Sequence, residues 1–310
     1  MNLDFGGILK RAWEITWRNK ILWLLGILSA IGSGGGFRGG SNTNFNPNNN
    51  PDFLPQLQRR FPNLDQNTIG AIILGVACVV IIIAILFWIL SIVGRGGLIG
   101  GINLAETRGS VSFGEAWAIG TKYFITVLII GLAVAILGVL IGIASVVAVA
   151  SVCLAPLGCI GFILIAVLSV FTYLAQIAAV TDNLSVGDAF GRAWQLVKAN
   201  IGAVVLLGLI LAIINGVVGF VVALPLVLIA APAMLSLVGA ANNNAAVATS
   251  GVAIAGLCLV VWIPVLIIVR GIVETWVTSA WVLAYRRLSG QPGAAPLSPM
   301  APPPMAPMAR

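Results

Sequence analysis

Apolar residues in this chain run in blocks far longer than a soluble core element requires. Two stretches, Tyr123–Thr181 and Ala199–Val269, contain no charged residue, and each is more than twice the roughly 20 apolar residues that a bilayer-spanning helix needs. Each therefore has room for two crossings and a turn. No alternation of period two recurs inside them, and backbone polar groups must be paired internally in lipid, so helices are expected rather than barrel strands. The pattern predicts an all-α integral membrane protein of six transmembrane helices. The first span covers Ile21–Ile31, with its helix starting earlier, near Trp13. The second covers Ile69–Val93, with helix extending through Gly94–Thr107. The third runs from Phe124 to Ala150 and the fourth from Cys159 to Val180. The fifth starts at Ile201, where Pro225 and Pro232 predict a kink or an early end, and the sixth runs from Gly251 to Tyr285.

Polar segments punctuate these blocks. Leu3–Lys20 reads as an amphipathic interfacial helix, with Trp13, Trp17 and Trp23 at the depth where indole rings favour the headgroup boundary. Residues 32–67 form a Gly- and Asn-rich loop with too little apolar surface for a core, expected outside the cytoplasm. A polytopic membrane domain is thus expected over residues 1–289. Residues 290–310, rich in Pro, Ala and Met, are expected to form a disordered cytoplasmic tail.

Internal similarity divides the domain further. Phe5-Gly6-Gly7-Ile8-Leu9-Lys10-Arg11-Ala12-Trp13, with Asn19 beyond it, aligns without gaps to Val186-Gly187-Asp188-Ala189-Phe190-Gly191-Arg192-Ala193-Trp194, with Asn200 beyond it. Ser112-Phe113-Gly114-Glu115-Ala116-Trp117 is a weaker third copy, and Ile92–Gly96 echoes Ile267–Gly271. The expectation is three repeated two-helix hairpins, in units of about 1–110, 111–183 and 184–289, each led in by an amphipathic interfacial helix. Arg11, Trp13, Trp117, Arg192 and Trp194 would be the interfacial anchors. The competing explanation is that Gly, Arg and Trp recur because membrane boundaries favour them.

Composition agrees with the class. The chain is 60% hydrophobic and 8% charged, whereas soluble domains carry roughly 25% charge. The net charge of +7 does not point to nucleic acid, because the basic residues flank apolar spans instead of forming a basic run. A cytoplasmic N-terminus leaves only Arg38, Arg59 and Arg60 outside, as the positive-inside tendency requires. A multi-pass protein of the cell membrane is expected, with both termini cytoplasmic. Lys10 and Arg11 ahead of an apolar core also fit a signal peptide, but recurrence of Arg-Ala-Trp deep in the chain favours a retained helix.

Candidate chemistry is sparse. There is no histidine, which excludes His-based triads, His-ligated zinc and His proton relays. No pair of carboxylates falls at the centre of a span, so no catalytic constellation, no metal site and no cofactor are expected. Arg95 and Arg270 stand where apolar spans continue into weakly charged segments, and Glu274 lies one turn beyond Arg270. They read either as snorkelling anchors with a local ion pair or as an inner-leaflet pocket for lipid phosphate. Gln176 and Asn215 are candidate intramembrane polar contacts joining helices. Gly96, Gly97, Gly100 and Gly101, and separately Gly138 and Gly142, predict close helix packing. Cys78 and Cys258 fall inside spans and read as buried hydrophobes, Cys153 and Cys159 bracket a turn where a disulfide is one option, and Asn183-Leu184-Ser185 is a formal glycosylation triplet on the wrong side of the membrane.

The Phe-Gly-x-x-x-x-Arg-Ala-Trp segment, its repetition at Val186–Trp194 and the Phe113–Trp117 element resemble a broad group of uncharacterised prokaryotic polytopic proteins, similar to the membrane domain attached to some glycerophosphoryl diester phosphodiesterases. In those enzymes the hydrolase is a separate metal-binding barrel, and none is expected within these 310 residues, so the resemblance implies a membrane module without phosphodiesterase activity. The functional expectation is a non-enzymatic protein that engages membrane lipids, a protein partner or a second copy of itself. The alternative is a transporter of a small solute or lipid, for which a polar cavity containing Asn215, Gln176, Arg95 or Arg270 would be the distinguishing feature.

Overall fold

The computed structural model describes residues 4–32, 66–150, 155–241 and 245–290. The described residues form nine helices and no strand: α1 (Phe5–Arg18), α2 (Ile21–Gly32), α3 (Gln66–Arg108), α4 (Phe113–Lys122), α5 (Phe124–Ala150), α6 (Ala155–Thr181), α7 (Val186–Ala199), α8 (Ile201–Ala241) and α9 (Ala245–Leu288). Five of them, α3, α5, α6, α8 and α9, are long and apolar enough to cross a membrane, which marks the chain as a membrane protein. The sixth expected span, α2, has 12 residues, about 18 Å of helix, and is too short to cross alone. The Gly/Asn-rich loop, the tail, Cys153 and Asn242–Asn244 lie outside the described residues.

The three short amphipathic helices begin alike. Asp4, Ser112 and Ser185 each cap one, accepting the backbone N–H three residues on, from Gly7, Glu115 and Asp188. Each cap satisfies an N–H that the first turn leaves without an intrahelical partner. Each helix then buries a stripe at helical spacing: Ile8, Ala12 and Ile15 on α1, Ala116 and Gly120 on α4, Ala189, Ala193 and Leu196 on α7. The helices α3, α6 and α9 also end alike, on a left-handed residue at Gly109, Asn183 and Gly290. Asn183 is the only non-glycine of positive φ among the described residues. It sits where the Leu184 N–H reaches back to the Ala179 carbonyl, a Schellman closure in which Asn is the best-tolerated substitute for Gly. The triplet at Asn183 is therefore part of a helix stop.

α2 packs on α3, α5 on α6 and α8 on α9, and α2 also packs against α9. Small residues permit the closest approaches. A Cβ on Gly97 would stand 2.7 Å from the Ala116 carbonyl, and one on Gly120 would stand 3.0 Å from the Gly97 nitrogen. The Gly96–Gly101 run thus receives the short helix α4 and, at Gly97 and Gly101, Leu25 and Leu22 of α2, the close helix packing expected of it. Gly26 and Gly271 do the same where α2 meets α9, Thr275 donating there to the Leu22 carbonyl at 3.1 Å. Gly138 and Gly142 do not mark close packing: a Cβ on Gly142 would meet nothing within 4 Å, and one on Gly138 would make only an ordinary 3.9 Å contact with Leu168. Nor do the prolines end α8. The helix runs through Pro225 and Pro232 to Ala241, and Gly251 of α9 lies against the Pro232 carbonyl, where a side chain would collide at 2.5 Å.

Burial is concentrated at one end of the bundle. The core gathers the stripes of α1, α4 and α7, the starts of α5 and α8, and the last turns of α3, α6 and α9. α1 runs antiparallel to the end of α9: Arg287 donates to the Asp4 carbonyl and Trp276 to the Leu9 carbonyl. Beyond this base α5 and α6 stay paired at Ser145 and Gly161, and α8 and α9 at Pro232 and Gly251, while the start of α3 stands exposed. From Ala71 to Ile89 every described side chain of α3 is exposed, whereas burial begins at Ser91; on α9 continuous burial or half-burial sets in at Val269, after isolated buried positions at Gly251 and Ala255. Cys78 is accordingly exposed on an apolar surface, contrary to the buried position expected for it.

Candidate functional site

The change from exposed to buried helix is where the candidate polar residues meet. Arg95 lies on α3 just past that boundary, Tyr173 on α6 and Glu274 on α9. The Arg95 Nη2 is 3.9 Å from Glu274 Oε1, and the Tyr173 hydroxyl donates to the same oxygen at 3.0 Å. The Arg95 guanidinium also lies 4.6 Å from the centroid of the Tyr173 ring, a distance at which the aromatic face attracts a cation. Trp281 backs that ring at 6.5 Å. One residue from each of three long helices thus closes a net-neutral cluster.

Next to it lies a cavity of about 180 Å³ between α2, α3, α5 and α6. Its lining includes Ser29, Arg95 and Gln176, and each of the three carries a buried polar atom without a hydrogen-bond partner: Ser29 Oγ, Arg95 Nε and Gln176 Oε1. Ser29 and Gln176 are each 2% exposed. Buried polar groups are almost always paired, because leaving one unpaired costs about 1–3 kcal/mol. Three beside one cavity call for a shared occupant. The α5 wall is apolar and dips at Gly131, and Trp88 and Leu132 on the rim are 47% and 52% exposed. The cavity therefore opens sideways onto the apolar surface.

A larger hollow of about 290 Å³ lies between α1 and the end of α3, lined by Arg11, Glu14 and Arg18. Its central Arg11 already has partners, Glu14 at 3.3 Å and Glu106 at 3.0 Å. It carries less argument than the smaller cavity.

The sequence candidates separate. Arg95, Glu274 and Gln176 come together. Arg270, although one turn from Glu274, makes no ion pair or hydrogen bond among the described residues, because Glu274 points to Arg95 and Tyr173. Asn215 is half-buried on α8 and neither lines the cavity nor hydrogen-bonds among the described residues. Trp13 and Trp194 are 48% and 61% exposed, Trp117 is half-buried and stacks on Phe113, and Arg192 adjoins the Tyr285 hydroxyl. Trp13 joins a ladder of edge-on indoles, Trp276–Trp13–Trp17–Trp23, with centroids 5.0–5.8 Å apart. Sequence reasoning missed Tyr173, Ser29 and Glu106. Tyr173 had a signal, since it shares a helix face with Gln176 three residues on. Ser29 had none.

The residues 15–288 match the model of a family of unknown function, DUF7544, and the chain belongs to that family. No curated protein and no solved structure matches it.

Proposed function

We propose that this DUF7544 member is a non-enzymatic membrane module that takes the polar head of a membrane lipid into the cavity beside Arg95. The observation that carries this reading is the coincidence of three unpaired buried atoms, Ser29 Oγ, Arg95 Nε and Gln176 Oε1, with a cavity whose rim is exposed and apolar. Such a pocket suits an amphiphile, with its head at the polar wall and its chain against the helices. Depth supports it. The exposed stretch Ala71–Ile89 is about 28 Å long at 1.5 Å per residue, close to the ~30 Å hydrocarbon thickness. Trp88 and Arg95 then fall at the headgroup boundary, where indoles concentrate.

The reading includes three hairpins, α2–α3, α5–α6 and α8–α9, led in by α1, α4 and α7, in a cell membrane with the termini on the cytoplasmic side. It draws support from the shared caps, stripes and left-handed stops. The helix expected to start near Trp13 breaks at Asn19, between α1 and α2, so for six crossings the 12 residues of α2 require local thinning of the bilayer. Likeness to the membrane domain of the phosphodiesterases agrees with a lipid-facing role and rests on the short motifs alone. A transporter reading asks for a polar cavity containing Asn215, Gln176, Arg95 or Arg270. The cavity holds Arg95 and Gln176 but neither Asn215 nor Arg270, and its opening onto the apolar surface favours a lipid head over a small solute.

Native mass spectrometry of the full chain from its own membrane tests the proposal. Arg95→Ala is expected to lose a co-purifying lipid that Arg270→Ala retains. Equal retention in the wild type and both variants would remove the site.

A further inference from the structure

Resting on that lateral site, we infer that its ligand is uncharged and hydroxyl-bearing, the glycerol head of a diacylglycerol, and not a phosphate. Three observations converge. First, the charge is already matched: Arg95 faces Glu274 at 3.9 Å, and Glu274 is held in place by the Tyr173 hydroxyl at 3.0 Å. Ser29 and Gln176 add no charge, so an anion entering the cavity would bring an uncompensated charge close to a carboxylate. Second, Arg95 offers the wrong grip for phosphate. Tight phosphate recognition uses two parallel guanidinium N–H groups, and here the Nε–Nη2 edge is shared with a carboxylate: Nη2 faces Glu274, while Nε is a buried donor without a partner. Third, the unpaired atoms differ in kind. Arg95 Nε–H requires an acceptor, Gln176 Oε1 requires a donor, and Ser29 Oγ serves as either. A hydroxyl supplies both functions, whereas the phosphodiester group itself has acceptors alone.

Size and shape agree. A cavity of about 180 Å³ has room for roughly six waters at ~30 Å³ each, enough to admit a glycerol head. Between Trp88 and Leu132 the wall falls away at Gly131, where a Cβ would find only Gln176 Nε2, at 3.7 Å. That gap gives the acyl chains a route out along α3 and α5.

The test places the full chain in phosphatidylcholine nanodiscs doped with dioleoylglycerol or dioleoylphosphatidate at equal mole fraction, and measures retained lipid by native mass spectrometry. One diacylglycerol per chain is expected, with phosphatidate no higher than the phosphatidylcholine background. Gln176→Leu removes the acceptor at similar volume and should weaken retention roughly tenfold, equivalent to about 1.4 kcal/mol. Gly131→Val fills the cavity from the α5 side, in van der Waals contact with Gln176 Nε2 but without removing any polar atom, and should weaken it at least as much, so loss of fold in one variant does not decide the outcome. Preference for phosphatidate would overturn the uncharged ligand and leave the lateral site standing. Retention of neither lipid would overturn the lateral site too, with water then filling the cavity. Diacylglycerol retained equally by wild type and both variants would place it elsewhere on the protein and end this inference.

Discussion

Arg11 on the first helix donates through Nε to the carboxylate of Glu106, 3.0 Å away and 95 residues further along the chain. Glu106 is 3% exposed and Arg11 16%, so the pair ties α1 to the end of α3 inside the base of the bundle. Breaking a buried pair is costly because the remaining charge loses its partner. Arg11→Ala should therefore destabilise the protein by about 3 kcal/mol. Glu106→Gln leaves the Arg11 charge with Glu14 still beside it at 3.3 Å and should cost less. Equilibrium unfolding in mixed micelles compares the two, and a larger loss in Glu106→Gln would contradict this account.

The triad of Arg95, Tyr173 and Glu274 makes a similar prediction with a different sign structure. Tyr173→Phe keeps the ring under the guanidinium and removes only the hydroxyl donation to Glu274. It should cost about 1.5–3 kcal/mol, the range for a hydrogen bond to a charged group. In Glu274→Gln the Arg95 charge loses its carboxylate. A double-mutant cycle between Tyr173→Phe and Glu274→Gln should therefore show coupling, whereas strict additivity would mean that the two side chains act independently.

Glycines at the α3–α4 contact should be far less replaceable than those facing lipid. A side chain on Gly120 would run into the Val93 carbonyl and the Gly97 nitrogen, so Gly120→Ala should cost about 1–3 kcal/mol as an overpacked site. Gly142→Ala enters open space and should change stability by less than about 1 kcal/mol, in the favourable direction. Thermal unfolding in micelles ranks the pair.

Glu115 gives the pH prediction. The Ser112 backbone N–H and hydroxyl donate to its carboxylate at 3.0 and 2.8 Å, with Arg108 at 3.6 Å, and together they hold its pKa below the ordinary carboxylate value. A carboxylate whose folded pKa is depressed contributes stability that is fully present above its unfolded pKa, near 4.3. That contribution is lost as pH falls through the lower folded value. Ser112→Ala should raise the Glu115 midpoint in a carboxyl NMR titration and flatten this acid-side loss. An unchanged midpoint would show that the capping box does not set it.

Much of the architecture was legible along the chain. The span Phe124–Ala150 coincides with α5, and Ile201 does begin α8, because long apolar runs and the loss of lipid-compatible residues at their ends are local properties. The lead-in helices were legible from the recurrence of Gly, Ala and Trp ahead of each span, whereas their caps at Asp4, Ser112 and Ser185 came from the structure. The site was legible in pieces. Arg95, Glu274 and Gln176 stood out as polar groups in apolar surroundings, but nothing in the spacing of Arg270 and Glu274 reveals that Glu274 turns away to another helix. Ser29 looks like any small residue near a helix end, and only the approach of α2 to α3 buries its hydroxyl without a partner.

The sequence by itself determined the solvent, the helical class and the polar segments at one end of the chain's long helices, since each depends on composition and on period within a single stretch. Which arginine meets which carboxylate, which glycines are contacts and which are open, and where an unfilled polar cavity remains were decided only by the tertiary structure. Those outcomes depend on distances between helices that lie far apart in sequence. The physical reason is that in a bundle of nearly uniform apolar surface many pairings bury similar area, and close fits such as Gly97 on Ala116, or Thr275 on Leu22, select among them.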